Sequence, residues 1–464
     1  MTPVIISFLF FLALFVVIGV LSARRAKATA DDYLIASRDV HPWLAALSAV
    51  STNNSGFMFV GLIGETYKTG VSAAWIMIGW VLGDWATWLF IHRHVRERSE
   101  KLEVATIPGY LGGRTRGERI VIALAAVITL AFLGTYAAAQ LKAGSKALHV
   151  LFGWSKAAGA IIGAVIVVAY CIAGGIRASI WTDTAQSAVM IVSMLLLVVV
   201  GVNASGGFSG LASKLDALDP QLLSWAPKAA ALGSVPWVIG WFAAGAGAVG
   251  QPHIMIRLMA IRSSEQVKTA RRVYLVWNGV FAAAAIIAGL VSRVLLDTSQ
   301  TFDAELALPR LAQQLLPAVM IGLVLAGLFA ATMSTADSQV LSCSAALTQD
   351  LIPRWGESYW RIKLGTALVT GAALLVALAG SENVFTLVVM SWSGLACGLG
   401  PLLVVRSLER DRASARVGVA MMVCGFATSV LWRYVFGLSG AVYEVLPGMV
   451  AGFAVYGIAR AMRR

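Results

Sequence analysis

The polar side chains best suited to binding an ion lie inside one apolar stretch of the chain. They are a carboxylate and three hydroxyls, at Ser334, Thr335, Asp337 and Ser338. Spacings of one, three and four residues bring such groups close together on a helix. Carboxylate, hydroxyl and carbonyl oxygens are the ligands that a hard cation accepts in place of water. The pattern predicts a site for a dehydrated cation such as Na⁺, unless the hydroxyls only bond back to carbonyls of their own helix.

A second run of polar residues interrupts the apolar stretch 43–66. Every residue from 51 to 55 is polar, and Gly56 follows. Unsatisfied backbone groups cost several kcal/mol each in lipid, so a helix break is tolerated there only where it lines a polar cavity. We expect the helix to unwind over residues 51–54 and to supply backbone carbonyl oxygens to the same cation.

A matching break is predicted in the apolar stretch 233–255. Three glycines within residues 245–250 precede Gln251 and Pro252, a combination that interrupts helices. The two breaks are five predicted spans apart, so two five-helix repeats would each begin with a broken helix. Secondary transporters with inverted repeats have this arrangement and bind solute and ions at the membrane midplane. The alternative is that the glycines only let helices pack closely.

These segments belong to a chain with the composition of a membrane protein. Of its 464 residues, 59% are hydrophobic and 13% are charged, whereas soluble domains carry roughly 25% charged residues. This excludes an ordinary soluble fold and a disordered chain. The apolar stretches predict thirteen transmembrane helices, at residues 3–22, 43–66, 71–92, 120–144, 155–173, 180–203, 233–255, 271–296, 314–347, 361–380, 384–405, 416–436 and 442–460.

The predicted organisation is a single multi-pass domain over residues 1–464. Its parts are a leading helix at 3–22, a first repeat at 43–203, a second repeat at 233–405, and two trailing helices at 416–460. Most of the 36 Lys and Arg residues fall in alternate loops, which places the N-terminus outside and the C-terminus in the cytoplasm. The net charge of +13 is then anchoring charge on the cytoplasmic side of a cell membrane, and we expect no nucleic-acid partner.

Other kinds of chemistry find no support in the residue pattern. The four cysteines and five histidines form no CxxC or Cys/His pairing, so no transition metal is expected. There is no GxxxxGK[ST] motif for ATP and no nucleophile–base constellation in a polar pocket. We therefore expect neither an enzyme nor a cofactor beyond a coupling ion.

Several motifs together resemble the sodium:solute symporter family, and its proline branch in particular. They are Gly174-Gly-Ile-Arg-Ala178 with Trp181-Thr-Asp-Thr-Ala-Gln186, Gly250-Gln-Pro-His253 with Arg257, Ala331-Thr-Met-Ser-Thr335, and Ser391-Trp-Ser-Gly394 with Gly400-Pro401. The resemblance covers almost the whole chain. It implies an all-α membrane protein with a LeuT-like 5+5 inverted-repeat core in the second to eleventh spans.

The resemblance also implies two sets of cation ligands. The Na⁺ ligands would be the Ala331 carbonyl, the hydroxyls of Ser334 and Thr335, and backbone oxygens of Ser51 and Asn54. A second cation site would comprise Asp183, Asp337 and Ser338. At Asp337 a carboxylate replaces a hydroxyl of the family pattern, which either strengthens the second site or makes it sensitive to protons.

For the solute, the resemblance implies a pocket that differs from that of the proline branch. Ala244 and Ala248 stand where that branch has aromatic side chains, and Asn53 stands where it has an acid. A roomier and less acidic pocket is expected, which would admit a larger or anionic solute. The other residues expected around the solute are Thr52, Ser55, Gln140 and Trp241.

The expected function is Na⁺-coupled import of a small organic solute by alternating access. The solute would be an amino acid such as proline, or a small carboxylate, and a single chain in the lipid bilayer would suffice. A proton-coupled carrier that uses Asp337 or Asp183 is an open alternative. A transporter-like membrane sensor would need a cytoplasmic output domain, and we expect none because the last predicted span ends close to Arg464.

Overall fold

The described part of the chain is helical. A computed structural model describes residues 2–24, 27–112, 116–227, 230–297, 302–380, 384–409 and 413–462. Within these residues the backbone forms helices and one isolated parallel bridge, between Val40 and Ile261. Basic residues of the predicted cytoplasmic loops at positions 25, 114, 410, 412, 463 and 464 lie outside the described residues.

Nine helices in the described residues are long and apolar enough to cross a membrane. Two shorter apolar helices are Ser234–Gly250 and Val445–Ala461. The main α-helices are Thr2–Ala23, Pro42–Asn53, Ile63–Thr69, Ala74–Phe90, Arg119–Phe152, Lys156–Ala204, Ser234–Ala246, Pro252–Met259, Val267–Leu295, Ala318–Ala345, Tyr359–Ala379, Val384–Leu408, Ala415–Val430 and Val445–Ala461. The connecting α-helices are Ala30–Ile35, His92–Lys101, Ile107–Gly112, Gly207–Leu218, Ala307–Leu315 and Pro353–Gly356.

The helix Lys156–Ala204 turns back on itself at Gly175. This glycine has φ 56° and ψ −142°, a backbone conformation that residues with a side chain rarely adopt. A Cβ on Gly19 of the first helix would lie 3.1 Å from Thr182 Oγ1 and 3.3 Å from Tyr170 Cβ. The segments before and after Gly175 therefore pack against the same point of the first helix, as two helices joined by a sharp turn.

The seventh predicted span is broken as the sequence indicates. Its helix Ser234–Ala246 passes into a 3-10 turn, Gly247–Gly250, and Gln251 is extended with φ −100° and ψ 97°. The helix Pro252–Met259 then begins, with the proline at its first position, where a missing N–H breaks no helical bond. The break lies inside the protein, since Gln251 and Pro252 are buried.

The second predicted span is broken at Asn54, the last residue of the segment in which the sequence predicts unwinding. Its helix runs through Pro42–Asn53, so the prediction that residues 51–54 unwind is wrong for Ser51, Thr52 and Asn53. Asn54 forms a turn, and a π-helix follows at Phe57–Leu62. The backbone of these three residues is helical, and their polar side chains hydrogen-bond to neighbouring helices. A run of polar side chains therefore does not require the backbone to unwind.

The close approach of the helices Ala74–Phe90 and Ser234–Ala246 provides a test of the packing. A Cβ on Gly245 would overlap the Trp80 carbonyl, which belongs to backbone and cannot move aside. We expect Gly245→Ala to destabilise the protein by about 1–3 kcal/mol, as overpacked sites do. Gly279→Ala is the matched control, because open space surrounds that position. Thermal unfolding in detergent measures both, and equal melting temperatures would contradict the packing.

Candidate functional site

Oxygen atoms from two helices converge where the helix Pro42–Asn53 meets the helix Ala318–Ala345. The Thr335 hydroxyl donates to the carbonyls of Thr52 (3.0 Å) and Ala331 (2.9 Å). The Ser334 hydroxyl lies 3.2 Å from Ala331 O and 3.4 Å from Ser51 O, and it accepts from Ser51 Oγ at 3.0 Å. All five residues are fully buried. The arrangement provides carbonyl and hydroxyl oxygens from both helices at one point inside the molecule.

Four of the five residues predicted for Na⁺ are in this cluster, and Asn54 has other described contacts. Its amide Nδ2 donates to Val50 O (2.9 Å) and to Asn278 Oδ1 (3.0 Å). The additional carbonyl that faces Thr335 belongs to Thr52, which was predicted for the solute. Because the helix continues to Asn53, the carbonyls that face the other helix come from Ser51 and Thr52.

An ionic centre lies next to this cluster. Asp183 and Asp337 are both fully buried, and the guanidinium of Arg257 lies between them. Its Nη2 is 3.4 Å from Asp183 Oδ2 and 4.0 Å from Asp337 Oδ1, and it donates to Ser338 Oγ. Ser338 in turn donates to Asp337 Oδ1 (2.8 Å) and is 2.9 Å from Thr52 Oγ1. The three residues predicted for a second cation thus occur together, and Arg257 shares their site.

Two more serines complete the contacts of Arg257. Ser48 accepts from its Nε (3.1 Å) and donates to Asp183 Oδ2 (2.6 Å), while Ser179 accepts from Nη2 (2.8 Å). In the sequence, Arg257 belongs to the motif that begins at Gly250, and neither Ser48 nor Ser179 is predicted for the site. The predicted span 233–255 ends before Arg257, so the rule that charged groups inside a membrane are usually functional does not select it from the sequence. The structure places Arg257 in the buried helix Pro252–Met259.

One cation and two carboxylates leave this centre short of positive charge. Asp183 Oδ1 and Asp337 Oδ2 are buried and have no hydrogen-bond partner among the described residues. A buried carboxylate is costly unless it is paired and hydrogen-bonded. The two oxygens are therefore suited to one further monovalent cation or a proton.

Three residues predicted for the solute lie around the helix break. Gln140 Oε1 accepts the Gly56 N–H (2.8 Å), and Gln140 Nε2 has no partner among the described residues. Ser55 Oγ is 3.3 Å from Tyr136 OH. Asn53 Nδ2 donates to a tyrosine of another helix, as described below. Gln140 Nε2 and Asn53 Oδ1 are thus both without a hydrogen-bond partner among the described residues.

The remaining three solute predictions are Trp241, Ala244 and Ala248, of which the first two contact aromatic side chains. The Trp241 ring stacks on Tyr443, with centroids 4.8 Å apart. Ala244 and Ala248 are fully buried, and the indole N–H of Trp392 donates to Ala244 O at 2.8 Å. An aromatic ring from another helix therefore lies against Ala244. The sequence could not show this, because residue 392 is far from residue 244 along the chain.

The segment before the second span is fixed by buried polar contacts. Arg38 donates to the carbonyls of Ser99 (3.0 Å), Val104 (2.7 Å) and Met259 (3.0 Å). Asp32 is paired with Arg177 at 2.5 Å. Burial by itself would raise the pKa of Asp32, but hydrogen bonds from Arg177, from the Lys27 N–H and from Ser37 lower it below its ordinary value.

This pairing makes part of the stability dependent on pH. Because the pKa of Asp32 is lower in the folded than in the unfolded state, its contribution is complete above the unfolded pKa of about 4 and is lost as the pH falls through the folded pKa. We expect Asp32→Asn to lower the melting temperature at pH 7, with the difference from wild type shrinking below about pH 4. Asp39→Asn is the control, since its pair with Arg262 is exposed and such pairs contribute about 0–1 kcal/mol. A difference for Asp32→Asn that does not change with pH would contradict the pairing.

Comparison with known proteins identifies the family. The sequence model of the sodium:solute symporter family matches residues 33–425. The chain belongs to this family. It is 31% identical to the high-affinity proline transporter PutP of Bacillus subtilis, over 92% of each chain. It is 30% identical to the sodium/proline symporter of Escherichia coli, over 97% of this chain and 91% of that one.

Solved structures confirm the class of fold. A Na⁺-coupled sialic acid symporter in a substrate-bound, outward-open state superposes with a TM-score of 0.78 at 19% identity, over 97% of both chains. The nucleobase-cation-symport transporter Mhp1 in a closed conformation gives 0.59 at 15% identity, over 93% of this chain and 94% of that one. Family membership makes the protein a multi-pass membrane symporter rather than an enzyme, with Na⁺ as coupling ion and a small organic solute as partner.

Proposed function

We propose that this symporter imports L-proline or a closely related amino acid together with Na⁺. The relatives at about 30% identity are named for proline, which makes it the first solute to test. The observation that carries the proposal is the oxygen cluster that joins the helices Pro42–Asn53 and Ala318–Ala345. A small carboxylate is the second candidate, because Gln140 Nε2 is a buried donor with no partner among the described residues and is suited to a carboxylate group.

The proposed Na⁺ ligands are the carbonyls of Ser51, Asn54 and Ala331 and the hydroxyls of Ser334 and Thr335. The Thr335 hydroxyl proton now points to the carbonyls of Thr52 and Ala331. When Na⁺ binds, that hydroxyl would turn its oxygen to the ion. Na⁺ would then bridge the two helices and favour the outward-open state, to the extent that it binds that state more tightly.

The proposed second cation site comprises Asp183, Asp337 and Ser338. Its support is the pair of buried carboxylate oxygens that have no hydrogen-bond partner in the part of the chain that the structure describes. Since Arg257 already neutralises one of the two carboxylates, the site would take a single Na⁺ or a single proton. A proton-coupled carrier is the alternative function that these oxygens favour.

The proposed solute site is lined by residues of both broken helices and of the helix Arg119–Phe152. Its members are Thr52, Asn53, Ser55, Gln140, Trp241, Ala244 and Ala248. All are buried, and polar groups of Asn53 and Gln140 have no partner among the described residues. Such groups are available to hydrogen-bond a solute.

The proposed architecture has thirteen spans in one multi-pass domain, with the N-terminus outside and the C-terminus in the cytoplasm. A leading helix at 3–22 precedes two inverted repeats, at 43–203 and 233–405, and two helices at 416–460 follow. The turn at Gly175 supports counting Lys156–Ala204 as two spans. The breaks at Asn54 and Gln251 support repeats that begin with a broken helix. A single chain is sufficient for this mechanism.

The test is uptake of radiolabelled L-proline by proteoliposomes. We expect an inward Na⁺ gradient at fixed pH to drive accumulation, and a pH gradient without Na⁺ to drive none. Accumulation driven by the pH gradient alone would assign coupling to protons at Asp183 or Asp337. If proline is not accumulated, a thermal-shift screen of amino acids, monocarboxylates and sugar acids in Na⁺ identifies the solute, because a ligand that binds the folded state stabilises it.

A further inference from the structure

Three buried residues from three helices form a hydrogen-bonded chain that ends at the helix break. Asn53 is the last residue of the helix Pro42–Asn53, and its Nδ2 donates to Tyr274 OH at 2.5 Å. Tyr274 OH donates to Asp84 Oδ2 at 2.6 Å. Tyr274 lies on the helix Val267–Leu295 and Asp84 on the helix Ala74–Phe90, and both are almost completely buried.

The chain fixes the direction of the Asn53 amide. A phenol has one proton, and the stronger of its two possible bonds is the charge-assisted one to the Asp84 carboxylate. The phenol oxygen can then only accept, so the neighbouring atom of Asn53 must be its NH₂ group. If the amide turned round, its oxygen would face a phenol oxygen that has no proton to give. Asp84 and Tyr274 therefore hold Asn53 with Oδ1 directed away from Tyr274.

The Oδ1 atom of Asn53 has no hydrogen-bond partner among the described residues, and Asn53 is only 7% exposed. A buried acceptor without a donor destabilises the state in which it is left unpaired. The residue lies one position before the turn at Asn54, where the span is broken. A ligand with an N–H group that reaches this break would satisfy the oxygen.

We propose that Asp84 and Tyr274 are positioning residues that orient Asn53, so that its Oδ1 accepts a hydrogen bond from the amino or imino group of the solute. This inference rests on the proposed function, because it places Asn53 at the solute. It adds a selectivity: amine-bearing solutes bind in preference to analogues of the same shape without nitrogen. A neutral carboxamide can act as either donor or acceptor, so the selectivity depends on the two residues behind it.

The test compares apparent Kd values for matched pairs of compounds, obtained from thermal shifts of purified protein in Na⁺. The pairs are L-proline with cyclopentanecarboxylate and L-alanine with propanoate. In wild type we expect the amine-bearing member to bind at least about tenfold more tightly, as one hydrogen bond of about 1.4 kcal/mol implies. In Tyr274→Phe and Asp84→Asn, which no longer fix the amide, this preference should fall by up to about tenfold.

A charge swap separates loss of the acceptor at position 53 from general damage to the structure. In the double variant Asn53→Asp with Asp84→Asn, the phenol donates to the carboxylate at position 53 and accepts from the amide at position 84. The second carboxylate oxygen at position 53 then faces the solute as an acceptor. We expect the preference for amines to return, although Asp84→Asn alone has lost it. Tyr33→Phe is the control, since it removes a buried phenol bonded to Thr366 instead.

The results that would overturn this inference differ from the result that would overturn the proposed function. The inference is overturned if wild type favours no amine-bearing compound over its partner, if Tyr274→Phe keeps the full preference, or if Tyr33→Phe loses it equally. It is also overturned if the swap variant folds and binds but shows no recovery. Failure of the proposed function has a different signature, namely uptake that does not depend on Na⁺, and the preference for amines can persist in that case.

Discussion

Replacing Ser334 and Thr335 together by alanine is expected to abolish Na⁺-stimulated uptake while the protein stays folded. The two hydroxyls are the side-chain oxygens that the helix Ala318–Ala345 contributes to the cluster with the helix Pro42–Asn53. Each contact of a hydroxyl with a charged group is worth roughly 1.5–3 kcal/mol. Loss of both should therefore weaken Na⁺ binding by about two orders of magnitude or more. Uptake against a Na⁺ titration in proteoliposomes measures the effect.

A matched control variant separates the effect of losing hydroxyls at the ion cluster from the effect of losing any two buried hydroxyls. Ser292 and Thr370 are also buried, and their hydroxyls bond back to Ala288 O (2.7 Å) and Thr366 O (2.9 Å) within their own helices. Replacing these two by alanine should leave the Na⁺ dependence unchanged. If the Ser334/Thr335 variant transports normally and still requires Na⁺, the assignment of the ion site is wrong. A melting temperature close to that of wild type excludes unfolding as the cause of lost uptake.

The sequence alone was sufficient for the features that depend on local chemistry. The glycines before Gln251-Pro252 have a low helix propensity and the proline cannot continue a helix, and the structure breaks the helix there. Ser334 and Thr335 are consecutive polar residues in an apolar helix, and the structure places both hydroxyls against Ser51 and Thr52. Such features depend on residues that are neighbours along the chain, so they can be predicted without knowing how the helices pack.

What the sequence did not predict depends on pairing between distant residues. Ser51, Thr52 and Asn53 remain in the helix, and each of their side chains hydrogen-bonds to a residue of another helix. The position of Asn53 depends on Tyr274, more than two hundred residues away in sequence. In the same way, Arg257 is part of the ionic centre because Asp183 and Asp337 meet it in space. A single sequence does not show which distant residues contact each other.

Arg257→Met is expected to destabilise the protein strongly in the absence of Na⁺. The substitution leaves Asp183 and Asp337 buried without their common cation, and removing one member of a buried ionic group costs about 3–5 kcal/mol. Adding Asp183→Asn should restore part of the stability, because one unpaired negative charge is then removed. Thermal unfolding of both variants in Na⁺-free choline buffer measures the two effects.

The same variant tests whether Arg257 acts as a resident cation in the proposed second site. Without the guanidinium, the centre has two carboxylates and the space that the side chain leaves, so Na⁺ should raise the melting temperature of Arg257→Met more than that of wild type. Arg406→Met is the control, because it also breaks a buried ion pair, with Glu118 at 2.8 Å, but away from this centre. It should be destabilised without gaining sensitivity to Na⁺. Equal Na⁺ responses of the two variants would mean that Asp183 and Asp337 do not bind a cation, and that Arg257 has a purely structural role.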